Sequence, residues 1–265
     1  MRKPKKKSIR KSVRKSVKKL VKKAKLTKLG KRLKAAKKPS KPVKPAKSAA
    51  GEKHVVVLHG LIVNKYFMSG ISSYLEKQGY TVHSMSYPTR AKNFETLLDD
   101  HVAPFINGVP AKKIDFVVHS MGGIMVRMYA LKYGVKRIRR VVMIGTPNKG
   151  SQVADFVSDL PAFKWYLGEA GKSLGTRGDG VPARLPAVNF ECGVIAGDNH
   201  WFRLARNAIV PDLPKPNDGV VSVESTKVAG MKEHAVISGD HSQMVWMPSV
   251  WKMSAAFLKN GTFTT

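Results

Sequence analysis

The chain has 265 residues, with 48 Lys and Arg against 17 Asp and Glu, for a formal net charge of +31. Its single cysteine, Cys192, excludes an internal disulfide and any cysteine-based zinc cluster. No apolar run approaches the ~18 residues of a spanning helix, and the basic N-terminus is not followed by the apolar stretch of a secretory leader. The cytoplasm is therefore the expected compartment.

The charge is concentrated at one end. Residues 1–50 hold 23 of the 48 basic residues and no Asp, Glu, Phe, Tyr, Trp or Cys, while all 17 acids lie in 51–265. Such a tail has too little apolar surface to build a core, whereas 51–265 is long enough for one α/β domain. Ile9, Val13, Val17, Leu20, Val21 and Ala24 recur at spacings of three and four, which predicts a basic amphipathic helix. Pro39, Pro42 and Pro45 make 37–50 a semi-extended linker. The tail suits an anionic membrane surface, on which the chain would sit peripherally. It equally suits nucleic acid, bound through phosphates because no aromatic residue is present to stack on bases. A solvated polycation with no specific partner is the plainer alternative.

From residue 51 onward strands and helices alternate. Short apolar runs at 54–58, 81–87, 114–118, 138–144, 190–196 and 233–238 read as strands. Helical periodicity fills 64–78, 93–106, 124–133 and 244–258. This order predicts a mostly parallel, doubly wound sheet covered on both faces. Residues 151–189 break the rhythm with an apolar helix-like piece followed by Gly171, Gly175, Gly178 and Gly180, as expected of a cap or flap. Phe156, Leu160, Phe163, Trp165 and Tyr166 on that segment suggest an apolar site, although such residues also serve as ordinary core.

The chemistry concentrates where strands end. Phe116-Val117-Val118-His119-Ser120-Met121-Gly122-Gly123-Ile124 is an apolar run that breaks at a serine and two glycines before a helix-compatible segment. That pattern describes a sharp strand-to-helix turn that lifts a hydroxyl out of the backbone, beside the positive end of a helix. Ser120 is thus a candidate nucleophile, the alternative being a helix-capping serine. Val118 occupies the position where Gly-x-Ser-x-Gly has its first glycine, so a β-branched side chain is expected to crowd the turn unless it opens. His59-Gly60-Leu61 closes the first strand and offers the Leu61 N–H, with that of Met121, as an oxyanion hole; His59 itself reads as structural. Asn217-Asp218-Gly219 is turn chemistry that also supplies an acid. Gly239-Asp240-His241-Ser242 places a histidine between the last strand and the last helix, and an imidazole suits proton transfer near neutral pH. The order Ser120, Asp218, His241 fits a nucleophile, acid and base. Asp198 is the strongest rival acid, ahead of Asp212, Glu224 and Asp240. His83, His101, His200 and His234 lack the terminal placement. Cys192 lies in an apolar strand and reads as a buried small hydrophobe.

These segments resemble the α/β-hydrolase superfamily and, within it, small bacterial esterase- and lipase-like serine hydrolases. The resemblance rests on VVVLHGL (55–61), FVVHSMGGIMVR (116–127), VMIGTPNKGS (142–151), NDGVVSVEST (217–226) and GDHSQMV (239–245), and covers about 53–260. It implies an α/β-hydrolase fold, a Ser120–His241–Asp218 triad, an oxyanion hole at Leu61 and Met121, and 151–189 over an acyl pocket. It further implies hydrolysis of a small acyl ester or lipid through an acyl-enzyme, without metal or organic cofactor. Acyl transfer or thioester hydrolysis would use the same triad. A degenerate hydrolase domain, tethered by its tail to membrane or nucleic acid, is the reading from another class.

Overall fold

The computed structural model describes residues 52–178, 180–199 and 213–264, with the side chains of 161–166 left aside. The basic tail, Asp179, His200 and Asp212 lie outside the described residues. Six strands, β1 (Lys53–Leu58), β2 (Tyr80–Ser84), β3 (Ile114–His119), β4 (Ile138–Ile144), β5 (Glu191–Gly197) and β6 (Glu233–Ile237), form one sheet in the order β2-β1-β3-β4-β5-β6. Every adjacent pair is parallel. The period-2 alternation of the strands sorts their side chains between two cores. Val55, Val57, Val117 and Val142 face a cluster with Ile71, Leu75 and Phe257, while Val56, Leu58, Phe116, Val118 and Met143 face one with Leu97, Ile106 and Ile124.

The first cluster is covered by α1 (Ser69–Lys77), preceded by a 3-10 turn over Lys65–Met68, and by the C-terminal helix, here α9 (Pro248–Asn260). The second lies under α2 (Phe94–Leu97), α3 (Ala103–Gly108) and α4 (Met121–Tyr133). The single helix expected over 93–106 is divided by a π turn over Leu98–Val102. Pro104, which has no N–H to give, follows that turn directly in α3.

Two boundaries depart from the sequence pattern for identifiable reasons. The strand expected over 81–87 ends at Ser84, where its ladder with β1 stops at the Val57 pair. The helix expected from 124 begins at Met121 and passes through Gly122 and Gly123. A Cβ at residue 123 would stand 2.3 Å from Thr146 Oγ1, so the helix meets the loop after β4 only because that position is bare.

The segment 151–189 is helical: α5 (Gln152–Ser158), α6 (Pro161–Lys172) and α7 (Val181–Arg184). Gly168, at φ 68°, kinks α6 and packs against the Arg90 backbone, and Gly171 packs against the Leu61 side chain. A further short helix, α8 (Val223–Thr226), follows the Asp218 turn. Among the described residues no helix is long and apolar enough to cross a membrane.

The order of strands reverses at β1, since the chain goes outward to β2 and then returns to β3 on the other side. In open parallel sheets the crevice beyond the carboxyl ends at such a reversal is where ligands bind. Here it lies between the ends of β1 and β3, which carry His59-Gly60-Leu61 and Ser120 respectively.

Candidate active site

Ser120 adopts φ 53° and ψ −121°, a backbone state that a residue with a Cβ enters only under constraint. The constraint is visible on both sides. Its N–H donates to the Ile144 carbonyl at 2.9 Å, its carbonyl accepts from Gly123 N–H at 3.0 Å, and α4 starts at the next residue. Val118 does not crowd this turn. It pairs in register with Leu58 and Met143 and buries its side chain fully in the core beneath α4. The β-branched side chain is taken up by that core.

His241 follows Asp240, whose Oδ1 accepts the Ser242 and Gln243 N–H groups at 2.9 Å each and so shapes the turn that presents the imidazole. His241 Nε2 lies 3.0 Å from Ser120 Oγ, and its Nδ1 lies 2.7 Å from Asp218 Oδ2. A carboxylate oxygen only accepts, so Nδ1 carries the proton and Nε2 is left to accept from the hydroxyl. Asp218 is fully buried, and its other oxygen accepts the Val220 and Val221 N–H groups at 2.9 and 2.7 Å. The His241 N–H also donates to the Asp218 carbonyl at 3.0 Å, tying the two loops through their backbones as well.

The Asp218 loop is held in turn by the Gly145–Ser151 loop after β4. Ser151 Oγ donates to the Val220 carbonyl at 2.7 Å, Lys149 N–H to Ser225 at 2.9 Å and Asn148 Nδ2 to Thr226 at 2.8 Å. Asn148 itself accepts from the buried Arg127 of α4, which also clamps the Leu185 and Pro186 carbonyls at the end of the cap.

The rival acids go elsewhere. Asp198 is exposed. Glu224 pairs with Lys149 and Lys227, which hold its carboxyl down at about 2. Asp240 is occupied in its own turn. Among the histidines, His83 and His234 have pKa values lowered first by burial, and His83 bonds His54 while His234 bonds Thr226.

Gly60 presses on the elbow. A Cβ there would stand 2.9 Å from Ser120 Cβ and 3.0 Å from His119 Nδ1, so the loop after β1 approaches Ser120 only as glycine. Leu61 comes next, and Met121 is the first residue of α4, where an N–H has no acceptor within its helix. His59 is structural, as its surroundings require. Its Nδ1 donates to the Gly60 carbonyl at 2.8 Å, its Nε2 accepts from Tyr87 N–H at 3.3 Å, and burial lowers its pKa. Ile62, in this loop, is at φ 71° and, like Ser120, is a non-glycine residue at positive φ; its N–H is held by Thr89 Oγ1 at 3.1 Å.

Known proteins share this fold. The family model described as "alpha/beta hydrolase fold" matches residues 53–166. A Bacillus licheniformis lipase in its mature form superposes with a TM-score of 0.56 at 18% identity, covering 85% of this chain and 96% of that one. The chain has the α/β-hydrolase fold. Two triacylglycerol lipases, from Pseudarthrobacter phenanthrenivorans and Burkholderia plantarii, are each 30% identical to this chain over 129 residues, 42% of its length. The match spans 38% and 34% of the length of those relatives.

Two residues of this region, His119 and Tyr87, are not marked as site residues by the sequence, and Gly145 is marked only as the turn that closes the strand expected over 138–144. Tyr87 donates its hydroxyl to the His59 carbonyl at 2.6 Å, stacks on the His59 ring and has its pKa raised by complete burial. A Cβ at residue 145 would stand 3.1 Å from His241 Nδ1 and 3.3 Å from Asp218 Oδ2, so that glycine leaves room for the acid–base contact. Their one sequence signal is position: each lies at or just past the carboxyl end of an expected strand. Cys192 is fully buried, which pushes its thiol up to about 12 and removes it as a nucleophile. Of the apolar cap residues, Phe156 and Leu160 are half-buried; the side chains of Phe163, Trp165 and Tyr166 lie outside the described residues. Among the described residues no three His, Cys, Asp or Glu side chains converge to hold a metal ion.

Proposed function

We propose that this hydrolase cleaves carboxylic esters of acyl-chain or lipid type, with Ser120 as nucleophile, His241 as general base and Asp218 as the acid that orients it. The single observation that carries this reading is the continuous chain from Ser120 Oγ to His241 Nε2 at 3.0 Å and from His241 Nδ1 to Asp218 Oδ2 at 2.7 Å, anchored on a strained elbow. His241 takes the Ser120 proton as the oxygen attacks the ester carbonyl. The resulting oxyanion is stabilised by the Leu61 and Met121 N–H groups, donors of a kind whose individual loss typically costs ~3 kcal/mol in the transition state. The protonated imidazole then gives its proton to the departing alkoxide, leaving an acyl-Ser120 ester. Water attacks that ester with His241 as base again, releasing the acid and restoring the hydroxyl.

The ester class is supported by the triacylglycerol lipases it resembles and by the apolar character of the cap, where Leu61 packs on α6 beside the Ser120 loop. The test is hydrolysis of p-nitrophenyl esters of increasing chain length by the full chain and by Ser120→Ala. The variant is expected to lose at least ~10³-fold in kcat and to stop reacting with a fluorophosphonate. A Ser120→Ala protein with undiminished turnover would remove the basis of the proposal.

A further inference from the structure

The residue before the nucleophile is a histidine that the mechanism above does not use. His119 is the last residue of β3 and is 3% exposed. Its Nε2 lies 2.9 Å from the backbone carbonyl of His241. A carbonyl only accepts, so that nitrogen carries the proton and Nδ1 is the bare one. Nδ1 is buried without a hydrogen-bond partner and faces the Gly60 position, where a Cβ would come within 3.0 Å. The ring lies 4.8 Å from the His241 ring, centroid to centroid, with Phe67 against it at 5.5 Å.

We infer that His119 is a positioning residue for the general base, holding the main chain of His241 at a fixed distance from Ser120. This rests on reading Ser120 and His241 as nucleophile and base. Three of the four bonds to His241 come from elsewhere in the site: its N–H to the Asp218 carbonyl, Nδ1 to Asp218 Oδ2 and Nε2 to Ser120. Two of those lead to Asp218, on one side. The His119 bond is the one that ties the opposite end of the His241 peptide to the strand carrying the nucleophile. Because His119 and Ser120 are joined by a single peptide, and Ser120 has little backbone freedom, the bond acts as a ruler between base and nucleophile.

The surroundings keep that ruler in one protonation state. Burial first, and then the neighbouring imidazoles of His241 and His59, hold His119 well below the usual imidazole range. A neutral ring can carry its one proton on Nε2 and leave Nδ1 bare, whereas a charged ring would bury an unpaired donor beside the base.

The experiment compares kcat and KM of the wild type with His119→Phe, which keeps the ring volume and loses the donor, and His119→Gln, whose carboxamide nitrogen reaches nearly as far as imidazole Nε2. The expected result is a kcat reduced about tenfold or more in His119→Phe with KM little changed, and recovery of most of that loss in His119→Gln. Wild-type kcat in the Phe variant, or an equal loss in both variants, overturns the inference. Nitrogen-15 NMR of histidine-labelled wild type reads the same point without a variant: a neutral Nε2–H tautomer for His119 supports it, and an Nδ1–H or charged ring sinks it. Ser120→Ala is run alongside. If that variant remains active, the reading of the site fails. If it is dead while His119→Phe is fully active, only the role of His119 fails.

Discussion

The proposed nucleophile and the proposed acid–base pair reach the same point by different means. Ser120 is placed by sterics: a strand buried on both faces ends in a left-handed turn, and the first turn of α4 carries bare glycines against neighbouring backbone and Thr146. Asp218 and His241 are placed by polar bonds, through loops whose side chains and main-chain groups bond one another and the Gly145–Ser151 loop. The difference teaches where damage should appear. Changes on the acid–base side should alter turnover at nearly constant stability, and changes on the elbow side should alter stability first.

The largest expected effect comes from breaking the polar side. Asp218→Asn keeps the shape and lets Oδ1 go on accepting from Val220 and Val221, but it turns an amide N–H toward His241 Nδ1. The ring is then driven to the tautomer that cannot take the serine proton, and kcat should fall by ~10⁴. Asp198→Asn, at an exposed position after β5, should leave kcat within a factor of ~2, as for surface changes generally. Steady-state rates on a soluble ester, with thermal unfolding of both variants, decide the matter. Equal losses in the two would mean that the acid had been assigned to the wrong loop.

The steric side is tested at Val118. Its side chain is fully buried in the core under α4, so Val118→Gly should cost about 2–4 kcal/mol from lost packing and a looser strand. Turnover per folded molecule should hardly change. Urea denaturation together with active-site titration separates the two quantities. A variant as stable as the wild type and faster in turnover would show that the valine had been crowding the elbow after all.

This contrast also marks what the amino-acid sequence could reveal. The six strands, the position of Ser120 after β3 and the order of acid and base follow from apolar periodicity and from turn residues at strand ends, which are local properties. The choice between Asp218 and Asp198 is not local. Both follow β5, and only the bonds from Ser151, Val220, Val221 and His241 bring one of them inward. His119 was hidden for a similar reason. It stands just past the apolar run expected over 114–118, next to the more conspicuous Ser120, and the carbonyl it bonds is 122 residues away. The end of β2 at Ser84 depends on where its ladder with β1 stops, which no pattern within 81–87 encodes.

The smallest expected effect concerns four histidines that are buried or half-buried. His59, His83, His119 and His234 all have pKa values below the ordinary 6.5, each lowered first by burial. Above that value they are neutral in both folded and unfolded chains and contribute no pH dependence. As the pH falls below it, the unfolded chain takes up protons that the folded chain refuses, so unfolding is favoured until each folded-state pKa is reached. Asp115 acts in the opposite sense at lower pH. Burial raises its carboxyl above the ordinary 3.8 against the opposing pull of Arg139, so the folded chain holds that proton more tightly. The melting temperature should therefore decline between about pH 7 and about pH 5, before acid effects on the carboxylates enter. A melting temperature that stays flat or rises over that interval would mean that these imidazoles take up protons in the folded chain as readily as in the unfolded one, and the neutral His119 on which the base is positioned would go with them.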